Sequence, residues 1–204
     1  MAVRKFFNLC GWGLLVLLLS IVLPPFTILV FPIVSLILIL LGYKGVSDEF
    51  GDVGIWKNIV LSVIFYFTSF LILVVSVWYF RTFLWNVYSN YFYYFEELFS
   101  EEGFNEFLDY LSVRASVFAV LFYAFWVASS FFFYRANELV GKATGNNNFR
   151  VGGLLVFIST VLSPLVIGLL TYPVGLIILI VAFFSKYEDI QDKKDEDDVI
   201  IKYR

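Results

Sequence analysis

The 204-residue chain is 61% hydrophobic and 21% aromatic, carries only 15% charged residues, and has a formal net charge of −3. A soluble domain is about 25% charged and about half apolar, and a fold of this size cannot hide so much apolar surface from water. No nucleic-acid partner is expected.

Arg4 and Lys5 open the chain, and long uncharged runs follow at Phe6 to Tyr43, Asn58 to Phe80, Ala115 to Tyr134 and Val151 to Ser185. A helix needs about 20 apolar residues, at least about 17, to cross a bilayer. The first run is too long for one crossing and is interrupted at Pro24 and Pro25, which predicts two helices, over 6–23 and 26–43. A removed secretory leader is the competing reading of the first helix. Against it, no small-x-small site stands before Pro24 and a second apolar run follows at once. The single Cys10 rules out an internal disulfide and argues against a thiol metal site.

The segment "KGVSDEFGDVGIWKN", from Lys44, has glycines at positions 45, 51 and 54 and is read as a short cytoplasmic loop. Its Asp48, Glu49 and Asp52 have the oxygen chemistry for Mg²⁺ or Ca²⁺. A hydrated loop balanced by Lys44 and Lys57 is the preferred reading, and no metal is expected. A third helix is predicted over 58–80 and a fourth over 115–134. Between them, Leu84, Tyr88, Tyr91, Phe95 and Leu98, then Phe104, Phe107 and Leu111, keep apolar residues at helical spacing. Glu101, Glu102 and Gly103 read as a turn. Helices three and four are therefore expected to continue outside the membrane as a longer antiparallel hairpin, with two helices lying flat on the outer leaflet as the alternative. Trp85, Tyr88, Tyr91, Phe92 and Phe95 of this 81–114 segment either pack within that hairpin and against the lipid interface or form a docking surface for another membrane subunit. Ala115, Ala119, Ala124, Ala128 and Ser129 suit close helix contact along the fourth helix. The stretch "KATGNNNFRVGG" places Gly and Asn where a helix end is expected. Helices five and six follow over 151–170 and 172–186, and the mixed charge run 187–204 is read as a solvated, partly disordered cytoplasmic tail.

Lys and Arg placement orients this map. With the N-terminus inside, inner segments 1–5, 44–57, 135–150 and 186–204 hold every Lys and Arg except Arg81 and Arg114. The expected architecture is an all-α, multi-pass protein of the cell membrane with six crossings within 1–186 and both termini cytoplasmic. A four-crossing arrangement, in which each terminal hairpin dips in and returns, leaves the termini on the same side; run length favours six. "GLLVLLLSIVLP" at Gly13 is echoed by "GLLVFISTVLSP" at Gly153, which pairs Gly13 with Gly153, Ser20 with Thr160 and Pro24 with Pro164. With one inserted residue, Pro32 falls opposite Pro173. The preferred reading is that the hairpins 1–2 and 5–6 are a parallel internal repeat flanking the central hairpin; convergent turn chemistry is the other.

"LILILLGYKGVSDEFGDVGIWKN", followed by "ATGNNNFRVGGLLVFISTVLSP" and "GLIILIVAFFS", resembles an archaeal integral membrane family known as domain of unknown function 996. The resemblance rests on Lys44, Ser47, Asp48, Phe50, Gly51, Asp52, Trp56, Lys57 and Asn58 and covers about residues 10–80 and 135–186; segment 81–114 fits least. It implies an integral membrane protein and carries no catalytic residues.

No charged side chain falls in the core of any predicted helix, which argues against proton-coupled transport. There is no histidine, and the only cysteine is expected in the membrane, so neither a nucleophile–base pair nor a cofactor site is expected. The chain is read as a non-enzymatic assembly or accessory subunit, associating with itself or with other membrane subunits. The alternative is a small transporter or channel for an uncharged or weakly polar solute.

Overall fold

In the computed structural model the described residues are 2–22, 30–91, 101–165 and 167–202, with side chains described over most of 4–20, 31–82, 112–165 and 167–185 and at residue 85. They form six α-helices: α1 (Ala2–Val22), α2 (Val30–Phe50), α3 (Val53–Tyr91), α4 (Glu101–Thr144), α5 (Asn147–Val161) and α6 (Ile167–Lys202), with a 3₁₀ turn at Ser163–Leu165. No strand occurs among the described residues. Segments Phe31–Phe50, Val53–Thr82 and Ser112–Thr144 are long and apolar enough to cross a membrane, and Leu170–Ser185 is a shorter apolar stretch.

The helices run past the apolar blocks in both directions. Residues 44–50 belong to α2, 135–144 to α4 and 186–202 to α6, where loops and a tail were expected. A charged residue ends an apolar run, but it does not end a helix. Lys, Glu and Arg are good helix formers, and in 135–144 and 187–198 they recur at spacings of three and four, which helps a solvated helix. The interruption between the last two helices also falls earlier than expected. α5 stops at Val161, and Leu162 closes its last turn through N–H bonds to Ile158 O and Thr160 O. Pro173, expected at a helix start, lies inside α6 within its first two turns.

The helices divide into two compact units, Met1–Ser62 with Ser130–Arg204, and Val63–Ser129. All of the described buried apolar side chains lie in the first unit. There α1 packs on α2, α5 on α6 and α1 on α6. Phe7 stands at the centre, with its ring edge-on to Phe50, Phe149 and Phe183 at 6.3, 6.1 and 5.7 Å. Glycines bring the backbones close. A Cβ on Gly13 would lie 3.0 Å from Ile39 N, and one on Gly175 would lie 2.9 Å from Val156 N. Ser35 Oγ donates to Gly13 O across the α1–α2 contact at 2.8 Å.

The residues paired by the repeated phrase have different neighbours. Gly13 faces α2, whereas a Cβ on Gly153 would meet Asn137 Cβ of α4 at 2.9 Å. Gly152, one residue earlier, is the glycine that faces α6. Leu14 is fully buried, and its counterpart Leu154 is exposed. Pro24 lies outside the described residues.

In the second unit the segments of α3 and α4 meet through aromatic rings. Phe65 packs with Phe125 at 5.8 Å, and Tyr79 with Phe118 at 5.7 Å, so the pairs run in opposite order along the two helices. Arg114 donates a hydrogen bond to the Tyr79 hydroxyl and sits over its ring, 5.7 Å from the centroid. Many outward-facing side chains here are large and apolar, among them Phe67, Leu71, Val77 and Trp78.

Candidate functional site

Polar residues of the first unit build two tight corners between consecutive helices. At the first, α2 ends on Gly51, whose φ of +66° is the left-handed conformation that an L side chain resists. Asp52 then caps α3: its Oδ1 accepts from Gly54 N at 2.8 Å, and its carbonyl accepts from Ile55 N at 3.1 Å. Ser47 Oγ donates back to that same Asp52 carbonyl at 2.7 Å, tying the last turn of α2 to the start of α3. Asn58 Nδ2 adds a bond to Gly54 O at 2.8 Å.

The second corner repeats the device. Gly145 has φ of +69°. Asn146 caps α5 by accepting from Asn148 N at 3.0 Å. Thr144 Oγ1 donates to Val140 O at 2.8 Å and lies 3.4 Å from Asn146 N. Each corner thus pairs a left-handed glycine with an Asx cap, and in each the first buried side chain of the new helix is large and apolar, Ile55 and Phe149.

The same offset recurs one level deeper. Tyr43 and Asn137 precede their corner glycines by equal lengths of chain, and both are fully buried. Tyr43 Oη donates to Asn137 Oδ1 at 2.7 Å, which joins α2 to α4. Asn137 Nδ2 donates to Phe133 O at 2.9 Å in its own helix. The Tyr43 ring also stacks edge-on against Phe183 at 5.5 Å, so the polar bond sits in an apolar enclosure. Beside it, Glu138 is mostly buried and binds Arg135 Nη1 at 2.7 Å and Lys142 Nζ at 3.0 Å. Among the described residues no buried side-chain nitrogen or oxygen lacks a partner.

The residues singled out in the sequence separate accordingly. Ser47, Gly51 and Asp52 build the first corner. Lys44, Asp48 and Lys57 are exposed, and Trp56 is half-buried beside them. Asp52 is engaged with Gly54 N, and among the described residues no group of His, Cys, Asp and Glu is arranged to hold a metal ion. Trp85 is exposed at 69%. Tyr88 and Tyr91 lie on α3 with side chains outside the described set, and Phe92 and Phe95 lie outside the described residues altogether.

Tyr43, Asn137 and Glu138 escaped the sequence reading. Arg135 ends the apolar run of α4, so the residues after it read as a cytoplasmic loop. The available signals were the spacing of Arg135, Glu138 and Lys142 at i, i+3 and i+7, and the equal distance from Tyr43 to Gly51 and from Asn137 to Gly145.

The uncharacterized protein MJ1644 of Methanocaldococcus jannaschii is 29% identical over 164 residues, covering 79% of this chain and 82% of that protein. No solved structure matches. The sequence pattern of the family described as "Protein of unknown function (DUF996)" spans residues 31–183, both corners and the Tyr43–Asn137 bond included, and the chain belongs to that family.

Proposed function

We propose that this protein is a non-catalytic membrane subunit that works by assembly, with itself or with other membrane proteins. The observation that carries the reading is the interior of the first unit. Among the described residues its buried side-chain nitrogens and oxygens all have partners, its helices approach at glycines, and its corners are fixed by caps. A catalytic or conducting site needs polar groups aimed at an empty space. The exposed apolar and aromatic surface of the second unit adds to the argument, since Trp and Tyr are the anchors membrane assemblies use.

In the arrangement we propose, the six helices cross the cell membrane with both termini in the cytoplasm. Helices α1–α2 and α5–α6 form short hairpins, a parallel repeat, and α3–α4 form the longer central hairpin on the outer side. The two Gly-Asx corners then face the cytoplasm with most of the Lys and Arg.

A small transporter for an uncharged or weakly polar solute is the second reading. It is favoured by the hydroxyl pair Ser159 Oγ–Thr171 Oγ1, 2.8 Å apart, next to the interruption between α5 and α6. Extraction in mild detergent followed by native mass measurement separates the two. The first reading expects a stable oligomer or hetero-complex. A lone monomer that carries glycerol into liposomes overturns it.

A further inference from the structure

The described charged side chains of the first unit all lie toward one end of the packed helices. The acids are Asp48, Glu49, Asp52 and Glu138; of the cations, α1 contributes Arg4 and Lys5, α2 Lys44, α3 Lys57, α4 Arg135 and Lys142, and α5 Arg150. The Phe7 ring cluster fixes their common level, because it joins the start of α1, the end of α2 and the start of α5. Beyond that level, α1, α2, α5 and α6 present no charged side chain as far as they are described.

Three of these cations stand on helices that lie wholly in the first unit and share a setting. Lys44 is exposed and ends a stripe of exposed apolar residues on one face of α2, Ile37 and Leu41. Arg150 begins a similar stripe on α5, with Leu154, Ile158 and Val161. Lys5 does the same on α1, with Trp12 and Leu19. Spacings of three, four and seven keep each set on one helix face. Lys5, Lys44 and Arg150 make no ion pair among the described residues, whereas Arg135 and Lys142 are engaged by Glu138. The exposed acids Asp48 and Glu49 lie about a turn farther along α2, on the corner side of Lys44.

An apolar track that ends in one cation matches a phospholipid: acyl chain along the track, phosphate at the ammonium or guanidinium. A free phosphate needs only the cation and a partner helix needs only the apolar stripe, so the two together select the lipid. We propose that Lys5, Lys44 and Arg150 mark seats for anionic phospholipids of the leaflet at the charged end, and that the protein retains such lipids in preference to zwitterionic ones. The proposal rests on the bilayer reading above but not on the assembly reading.

The test uses the full chain, purified in mild detergent and exposed to equal amounts of phosphatidylglycerol and phosphatidylcholine with matched acyl chains. Native mass spectrometry reads the lipids retained. A cation near a membrane surface contributes about a fivefold preference for anionic lipid, so the wild type is expected to retain phosphatidylglycerol at least about fivefold more often. The combined Lys5→Gln, Lys44→Gln and Arg150→Gln variant is expected to hold the two lipids equally, with its thermal midpoint in phosphatidylcholine unchanged. Lys142→Gln serves as the control and should keep the preference. Inorganic phosphate at millimolar concentration should not displace the lipid. Equal retention by the wild type, a preference that survives the triple substitution, or displacement by phosphate each overturns the proposal. Failure to retain any lipid would instead count against the bilayer reading.

Discussion

Tyr43 shows what a single hydroxyl does in this interior. It is fully buried, and its bond to Asn137 joins α2 to α4. An unpartnered buried polar group costs about 1–3 kcal/mol in water-soluble proteins, but interhelical bonds within membranes average about 0.6 kcal/mol. Tyr43→Phe removes the donor and leaves Asn137 Oδ1 without it. Unfolding of the purified protein by a denaturing detergent should show a loss of about 1 kcal/mol, and Tyr43→Phe with Asn137→Leu should cost less than the sum of the single changes. Strict additivity would mean that the two side chains do not act as a pair. Gly51 poses a backbone question instead. A Cβ there meets nothing, yet φ is +66°. Gly51→Val is therefore expected to cost about 1–2 kcal/mol from conformation alone, and Gly51→Asn clearly less, as asparagine tolerates that region. Equal losses would show that space rather than φ is limiting. The glycine and the aspartate were visible in the sequence as punctuation. Their geometric task was not, because a cap is recognised only when the helix that it caps is known to reach it.

At the scale of helices, apolar run length located the six segments and missed their ends. The prediction of 26–43 for the second helix stopped at Tyr43 because Lys44 follows; the observed α2 continues to Phe50. The same bias shortened α3, α4 and α6. Charge marks where a helix leaves lipid, and turn chemistry marks where it stops. The two coincide only when no solvated turn intervenes. The close approach of α1 and α2 was also hidden, because glycine spacing matters only once the facing helix is known. A side chain on Gly42 would meet Cys10 Sγ and would lie 2.7 Å from Cys10 N. Backbone cannot yield as a flexible side chain can. Gly42→Val should force α1 and α2 apart at a cost of about 1–3 kcal/mol. It should also make Cys10, which is buried in the wild type, more reactive toward a small maleimide than in the wild type. Unchanged thiol protection in a stably folded variant would contradict this packing.

For the whole molecule, the proposed topology depends on which side of the membrane the corners face. In a Cys10→Ser background, cysteines placed at the exposed positions Glu49 and Asn147 should label only from the cytoplasmic side, and one at Glu102 only from outside. Glu49 and Asn147 labelling from opposite faces would break the six-crossing arrangement. Composition already argued against a water-soluble fold, and Lys44 to Asn58 with the stretches 143–164 and 175–185 already pointed to the family. What sequence could not show is that two corners share one construction, since "FGDVG" and "TGNNN" look unrelated until φ and the capping bonds are seen.

Those corners have a consequence for how such chains can change over time. With only Gly51 and Asp52 between α2 and α3, and only Gly145 and Asn146 between α4 and α5, neither joint has slack. An added residue would turn the following helix by about 100° and carry its exposed apolar face into the interior. Length variation among relatives should therefore collect in the connections after α1 and α3 and in the tail, while the two joints stay fixed in size.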